Sequence, residues 1–251
     1  IRTKDLDMTD QSSSLAPESL RPLALLALGR TGADIERIVR DVRRKLRRER
    51  RPMAWADLEA ALRADHTDLS DEFRWRVSVH EAGHALVYAL TGIAEIKMAS
   101  VGLHGVGVVA TVANDRLPQT ESWLMNSMAA LLAGRVAELV VFGEALAGAG
   151  GAAESDLARA TDMALAAETG LGFSRHCPLL YRPSGMAANM LGLDQQLAGR
   201  VNDRLEAAEA IARKLIEAHP GVHLEIAEKL RSVGILSGDE VGEMIARIHQ
   251  P

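Results

Sequence analysis

Two histidines four residues apart flank a glutamate in His80-Glu81-Ala82-Gly83-His84. On a helix, a spacing of four sets both imidazoles on one face, one turn apart, where they can grip a single cation. Glu81 is turned about 100° from His80 around the axis. It is therefore better placed to reach a water beside the cation than to share the cation with both histidines. This is the arrangement that metal-assisted peptide hydrolysis requires. A zinc ion polarises the scissile carbonyl and lowers the pKa of a coordinated water to about 7, while a carboxylate accepts the proton and passes it to the leaving amine. Ala82 and Gly83 are small enough to let a substrate backbone approach. The bland alternative is a pair of histidines satisfied by ordinary hydrogen bonds inside a packed helix.

A catalytic zinc needs a third protein ligand and an open position. The metzincin continuation would place glycine at 87 and histidine at 90; Val87 and Leu90 exclude it. His104, His176, His219 and His223 stand in no local pattern. Glu138 lies on a predicted helix in the manner of a thermolysin-like third ligand, and Asp156 opens another predicted helix. Chemistry alone leaves the choice open. As ordinary residues, Asp156 would be a carboxylate at a helix N-terminus, favoured by the dipole, and Glu138 a surface charge.

The elements that must position these residues are mostly helices. Of 251 residues, 47% are hydrophobic but only 3% aromatic, so the apolar mass is Ala, Leu, Val and Ile, which suits closely packed helices better than a β-sandwich. The metal motif falls in a helix from about Phe73 to Leu90, ended by Gly92. Residues 96–112, rich in Val and Gly, predict a short strand pair around Gly105. Further helices are predicted over about 120–142, 155–169 and 194–218, with an Ala/Gly loop at 145–153 and two shorter helices at the end. Ahead of the metal helix, Thr31 and Asp34 form a capping-box pattern, and Ile35, Ile38, Val39, Val42 and Leu46 follow at helical spacing. Pro52 stops that helix, and a short one begins at Trp55.

Global composition narrows the function classes. The net charge of −5 gives no overall pull toward nucleic acid or anionic lipid. Seven of the nine residues from Arg43 to Arg51 are basic, but without interleaved aromatics they read as a solvated helix end rather than a nucleic-acid site. Cys177 is the one cysteine, so neither an intrachain disulfide nor a Cys-based structural zinc site is expected, and a cytosolic setting is the easier reading. No uninterrupted apolar run approaches the roughly 20 residues of a membrane span.

Several segments resemble the FtsH-type AAA zinc metalloproteases. Val79-His-Glu-Ala-Gly-His-Ala-Leu86 is similar to their metal helix, and Leu132-Ala-Gly-Arg-Val-Ala-Glu-Leu-Val-Val-Phe-Gly143 to their Gly-Gly-Arg-Ala-Ala-Glu-Glu segment. Ala152-Ala-Glu-Ser-Asp-Leu-Ala-Arg-Ala-Thr161 is similar to their Asn-Asp-Leu element, and Gly170-Leu-Gly-Phe-Ser174 to the Gly-Met-Ser that follows it. Gly29-Arg-Thr-Gly-Ala-Asp-Ile-Glu-Arg-Ile-Val39 resembles part of the helical lid of an AAA ATPase. Leu139 departs from the pattern, replacing its second glutamate, and the strand region matches it poorly.

The resemblance implies a mainly α protein: a partial AAA lid over residues 1–66, a linker over 67–72, and a helical zinc metallopeptidase domain over 73–251 with a small β hairpin or sheet near the active site. It implies one Zn2+ per chain held by His80, His84 and Asp156, selecting Asp156 over Glu138, with Glu81 as the catalytic base. It also places Gly32 and Ala33 near the adenine of a nucleotide. No G-x-x-x-x-G-K-[ST] sequence occurs in these residues, so ATP is expected to serve only the full-length protein, through an ATPase core upstream. The expected substrates are unfolded proteins, and the expected assembly is a homo-hexamer without nucleic acid. Membrane attachment is expected only through an N-terminal anchor outside this soluble piece, holding it on the cytoplasmic side of an inner membrane. The competing expectation is a non-catalytic assembly or adaptor module on the same scaffold.

Overall fold

A computed structural model describes residues 20, 23, 24, 26, 27, 30–64, 69–102, 106–182 and 191–249. Gly29, His66, Thr67, Asp68, His104 and Gly105 of the sequence expectations lie outside the described residues. The chain divides into two units between Ala64 and Asp65.

In the first unit, helix α1 (Gly32–Glu49) starts where the capping box predicts. The Thr31 hydroxyl accepts from the Asp34 N–H at 3.2 Å, and the Asp34 carboxylate accepts from the Thr31 N–H at 3.1 Å, satisfying two of the free donors of a helix start. Its apolar stripe is narrow: Val42 and Leu46 are buried, as are Leu26 and, on α2 (Trp55–Arg63), Leu62. The basic run stays at the surface. Arg44 pairs with Asp41, and Arg51 pairs with Glu49 and, through two nitrogens, with Asp57.

The second unit is built around α3 (Asp71–Thr91), the metal-motif helix, capped by Ser70 and closed by Gly92 at φ +65°, a left-handed conformation that favours glycine. It packs on α4 (Glu121–Phe142) and α7 (Pro220–Val233); α4 in turn meets α5 (Asp156–Thr169) and α6 (Gln195–Ala218). Alanine makes the α3–α4 approach close: Ala82 and Ala85 on one helix and Ala129, Ala130, Ala133 and Ala137 on the other are fully buried. At the crossing, a Cβ added to Gly83 would lie 2.6 Å from the Ala133 carbonyl oxygen. Among the described residues, α4 alone is long and apolar enough to cross a membrane, and here it forms the middle of the core.

Strands β1 (Ala94–Val101) and β2 (Gly107–Ala113) pair antiparallel, from Ala94↔Ala113 to Val101↔Gly107, with an irregularity between Ile96 and Met98. A third strand, β3 (Ile235–Ser237), absent from the sequence reading, pairs antiparallel with β1 and gives the order β2-β1-β3. It leads into α8 (Gly238–Ala246), capped by Ser237. The 145–153 loop holds one 3-10 turn, Ala147–Ala149, with Ala149 buried.

A buried carboxylate ties three helices together. Glu168, near the end of α5, accepts from Arg204 Nε at 2.5 Å, Arg200 Nε at 3.1 Å and Ser174 Oγ at 2.9 Å. Arg204 continues to Glu121 at the start of α4, at 2.7 Å, and to the Phe173 carbonyl. Burial raises the Glu168 pKa, but the bonds from Arg204 and Ser174 reverse that and hold it below its ordinary value.

Candidate metal centre

The third and fourth turns of α3 carry His80, Glu81 and His84, and each imidazole is fixed through its Nδ1. His80 Nδ1 lies 2.5 Å from Glu138 Oε1 on α4, and His84 Nδ1 lies 2.7 Å from the Ala130 carbonyl. Both partners are acceptors, so both rings carry their hydrogen on Nδ1 and turn an unprotonated Nε2 outward when neutral. Asp156, capped into the first turn of α5 by Ser155, reaches the same place. The three ligand atoms are separated by 3.1 Å (His80 Nε2 to His84 Nε2), 3.2 Å (His84 Nε2 to Asp156 Oδ2) and 3.8 Å (His80 Nε2 to Asp156 Oδ2).

These separations test the fit of zinc. Ligand atoms about 2.05 Å from one ion at the tetrahedral angle lie about 3.3 Å from each other, and the observed values bracket that figure. Two imidazoles and one carboxylate also form the borderline N/O donor set that zinc takes at catalytic sites. Among the described residues this is the only group of three or more His, Cys, Asp or Glu side chains close enough to hold a metal. The electrostatics agree. Three carboxyl groups, those of Asp156, Glu138 and Glu81, surround the two imidazoles. In the metal-free protein burial alone would lower the His80 pKa, but hydrogen bonds with Asp156 and Glu138 raise it to about 10. Burial would push the Asp156 carboxyl up, but its bonds to the histidines leave it well below the carboxylate range.

Glycines clear the space. A Cβ on Gly134 of α4 would overlap His80 Nε2 and lie 2.5 Å from both His80 Cδ2 and His84 Nε2. A Cβ on Gly107, where β2 begins, would overlap the Glu81 carboxylate and lie 2.7 Å from Val77 Cγ1. Glu81 is buried, which pushes its carboxyl pKa up. It shares with His80 and Asp156 a cleft of about 320 Å³, walled by Phe73, Val77, Val106, Leu146 and Ala149.

The structure thus brings His80, His84 and Asp156 together and sets Glu81 in the same cleft. Gly32 and Ala33 lie exposed in the first turn of α1. Glu138 is not the surface charge that its sequence context suggested. It is 2% exposed, with one oxygen on His80 and the other accepting the Leu146 N–H at 2.6 Å. It holds the His80 ring and is not one of the three side chains close enough together to share an ion. Its signal was a lone carboxylate within the apolar run Val136 to Phe142. Of the other histidines, His176 is exposed and His219 joins α6 to α7. His223 is buried, its Nε2 3.0 Å from the Val79 carbonyl.

The model of peptidase family M41 matches residues 67–244. The chain is 27% identical, over its full length, to ATP-dependent zinc metalloprotease FtsH 4 of Synechocystis sp., covering 44% of that protein. It is 30% identical to the FtsH of Methylococcus capsulatus over 97% of the chain and 42% of that protein. It is also 30% identical to FtsH 2 of Sorangium cellulosum, over 90% of the chain and 42% of that protein. The chain spans less than half the length of these relatives.

Proposed function

Because the chain belongs to peptidase family M41, we propose that residues 73–251 are a zinc-dependent endopeptidase domain that works within an ATP-dependent protease. The observation that carries this reading is the convergence of two tautomer-fixed imidazoles and a carboxylate at tetrahedral separations beside a buried glutamate. His80, His84 and Asp156 would hold the ion. When bound, zinc supplies Lewis-acid activation of the scissile carbonyl and of water. Glu81 accepts the proton of the attacking water and returns it to the leaving amine. Its burial favours this task, because a carboxylate raised toward neutrality both takes and gives a proton readily.

The substrate we propose is extended, unfolded polypeptide. Among the described residues β2 is an edge strand, and Gly107 at its start lies against Glu81. A peptide adding to that edge through main-chain hydrogen bonds would run past the ligands while reading little sequence. Delivery of unfolded chains by an ATPase module, assembly of six copies in a ring, and an inner-membrane anchor elsewhere in a longer chain belong to the same reading, as does an AAA-lid role for residues 1–66. They rest on family resemblance.

Glu81→Gln tests the proposal. The variant should keep one zinc per chain, measured by metal analysis, and lose casein hydrolysis by about 10²- to 10⁴-fold. Turnover equal to the unmodified chain would remove Glu81 from the mechanism; a chain purified without chelator and devoid of zinc would remove the metal.

A further inference from the structure

His223 was a remote histidine without a pattern in the sequence, and the metal chemistry does not use it. It is 1% exposed on α7, between the fully buried core of that helix and the metal helix α3. Its Nε2 lies 3.0 Å from the carbonyl oxygen of Val79, the residue immediately before His80. A carbonyl can only accept, so His223 is the donor and carries a hydrogen on Nε2.

We infer that His223 is a positioning residue for the metal centre, clamping through the Val79 carbonyl the turn of α3 from which His80, Glu81 and His84 project. Three considerations support this. An apolar side chain would fill the same core site, whereas burying an imidazole is favourable only where its N–H finds a partner; the partner here is the backbone of the metal motif itself. Second, Glu138 and the Ala130 carbonyl fix the rotation of the two ligand rings, but rotation alone does not fix the backbone that carries them. Ligand positions must hold to about ±0.2 Å, so a restraint on the backbone is a separate requirement. Third, α7 grips the same helix a second time, one turn earlier, where the Arg231 guanidinium lies 5.6 Å over the Trp75 ring.

The inference rests on the metal-centre reading, and one experiment separates the two. Zinc affinity of the whole chain is measured by competition with a chromophoric chelator, and the cobalt(II)-substituted protein gives an absorption spectrum that reports ligand geometry. Three variants are compared with the unmodified chain. His223→Met keeps volume without a donor. His223→Gln sets an amide N–H near the Nε2 position. His223→Asn has the same group on a side chain too short to reach. The expected result is zinc binding about tenfold weaker in His223→Met and His223→Asn, at the lower end for a residue supporting a ligand, with a shifted cobalt spectrum. His223→Gln should recover to within about threefold of the original affinity. A role confined to core packing would lower thermal stability and leave the affinity and spectrum of the folded protein unchanged, which overturns the inference. If His223→Met fails to fold, the Gln and Asn pair decides alone: equal affinities overturn the clamp, and a tighter Gln variant supports it. An unmodified chain that binds no zinc overturns the metal-centre reading and the clamp together.

Discussion

Gly134→Ala puts one methyl group where the ligand set leaves no room. The added Cβ would lie 2.5 Å from His84 Nε2 and from His80 Cδ2, whereas real Cβ contacts essentially never fall below 3.0 Å. Both imidazoles must therefore move by about 0.5 Å or more relative to α4, beyond the roughly ±0.2 Å that a zinc–ligand distance tolerates. Movement also lengthens the bonds of Nδ1 to Glu138 and to the Ala130 carbonyl. Zinc affinity should fall by about 100-fold or more, past the range seen when outer partners of a ligand are lost. The fold should suffer little. Alanine in a helix interior is favoured over glycine by about 1 kcal/mol, against an overpacking cost of about 1–3 kcal/mol. The metal-free protein should then melt within about 8 °C of the original. Chelator competition measures the first quantity, and circular dichroism melting in EDTA the second. A Gly134→Ala chain that holds zinc as tightly as the original would show that the imidazoles do not project across α4 at this glycine.

Three further outcomes are expected. Glu138→Gln can no longer accept from both His80 and the Leu146 N–H, so zinc affinity measured by the same competition should drop about 10- to 100-fold; an unchanged value would deny Glu138 its orienting role. Arg204→Ala leaves the buried Glu168 without its 2.5 Å partner and should cost about 3–5 kcal/mol, seen as a melting temperature lower by about 6–20 °C. A shift under 2 °C would mean that the network contributes nothing. Glu168 also sets an acid limb. Its folded pKa is depressed, so its contribution is complete above the unfolded value near 4.5 and drains away as pH falls through the lower folded value. Urea unfolding between pH 5 and pH 3 should show a steeper loss for the original chain than for Glu168→Gln, and parallel curves would contradict that assignment.

Local signals in the sequence carried the helical frame because each has a local cause. Thr31 with Asp34 marked the start of α1, and Gly92 and Gly143 ended α3 and α4 in left-handed geometry. The candidate metal site was legible for the same reason on α3, where helix spacing alone sets His80 and His84 side by side. Asp156 was different. Its arrival depends on the path from α4 through the 3-10 turn to α5, which no periodicity encodes, and family resemblance chose it over Glu138. β3 escaped notice because three residues between two helices are too few to show alternation; its partner β1 lies far away in the chain. The burial of Glu138 was missed, and the role of His223 left open, for a related reason. A polar residue amid apolar neighbours announces burial, but not the group that satisfies it.

That short third strand has a consequence for where the chain can be shortened. Ile235–Ser237 occupies the side of β1 that faces away from β2, and Gly238 follows so tightly that a Cβ there would collide with the Ile96 carbonyl. Cutting the polypeptide before Ile235 would strip that flank and leave the middle strand with a row of unanswered amides and carbonyls beside buried Ala99 and Val101. Such a rim recruits strands from other molecules. Loss of Ile235–Ser237 would thus surface as self-association of the shortened protein, with His80, His84 and Asp156 left in place.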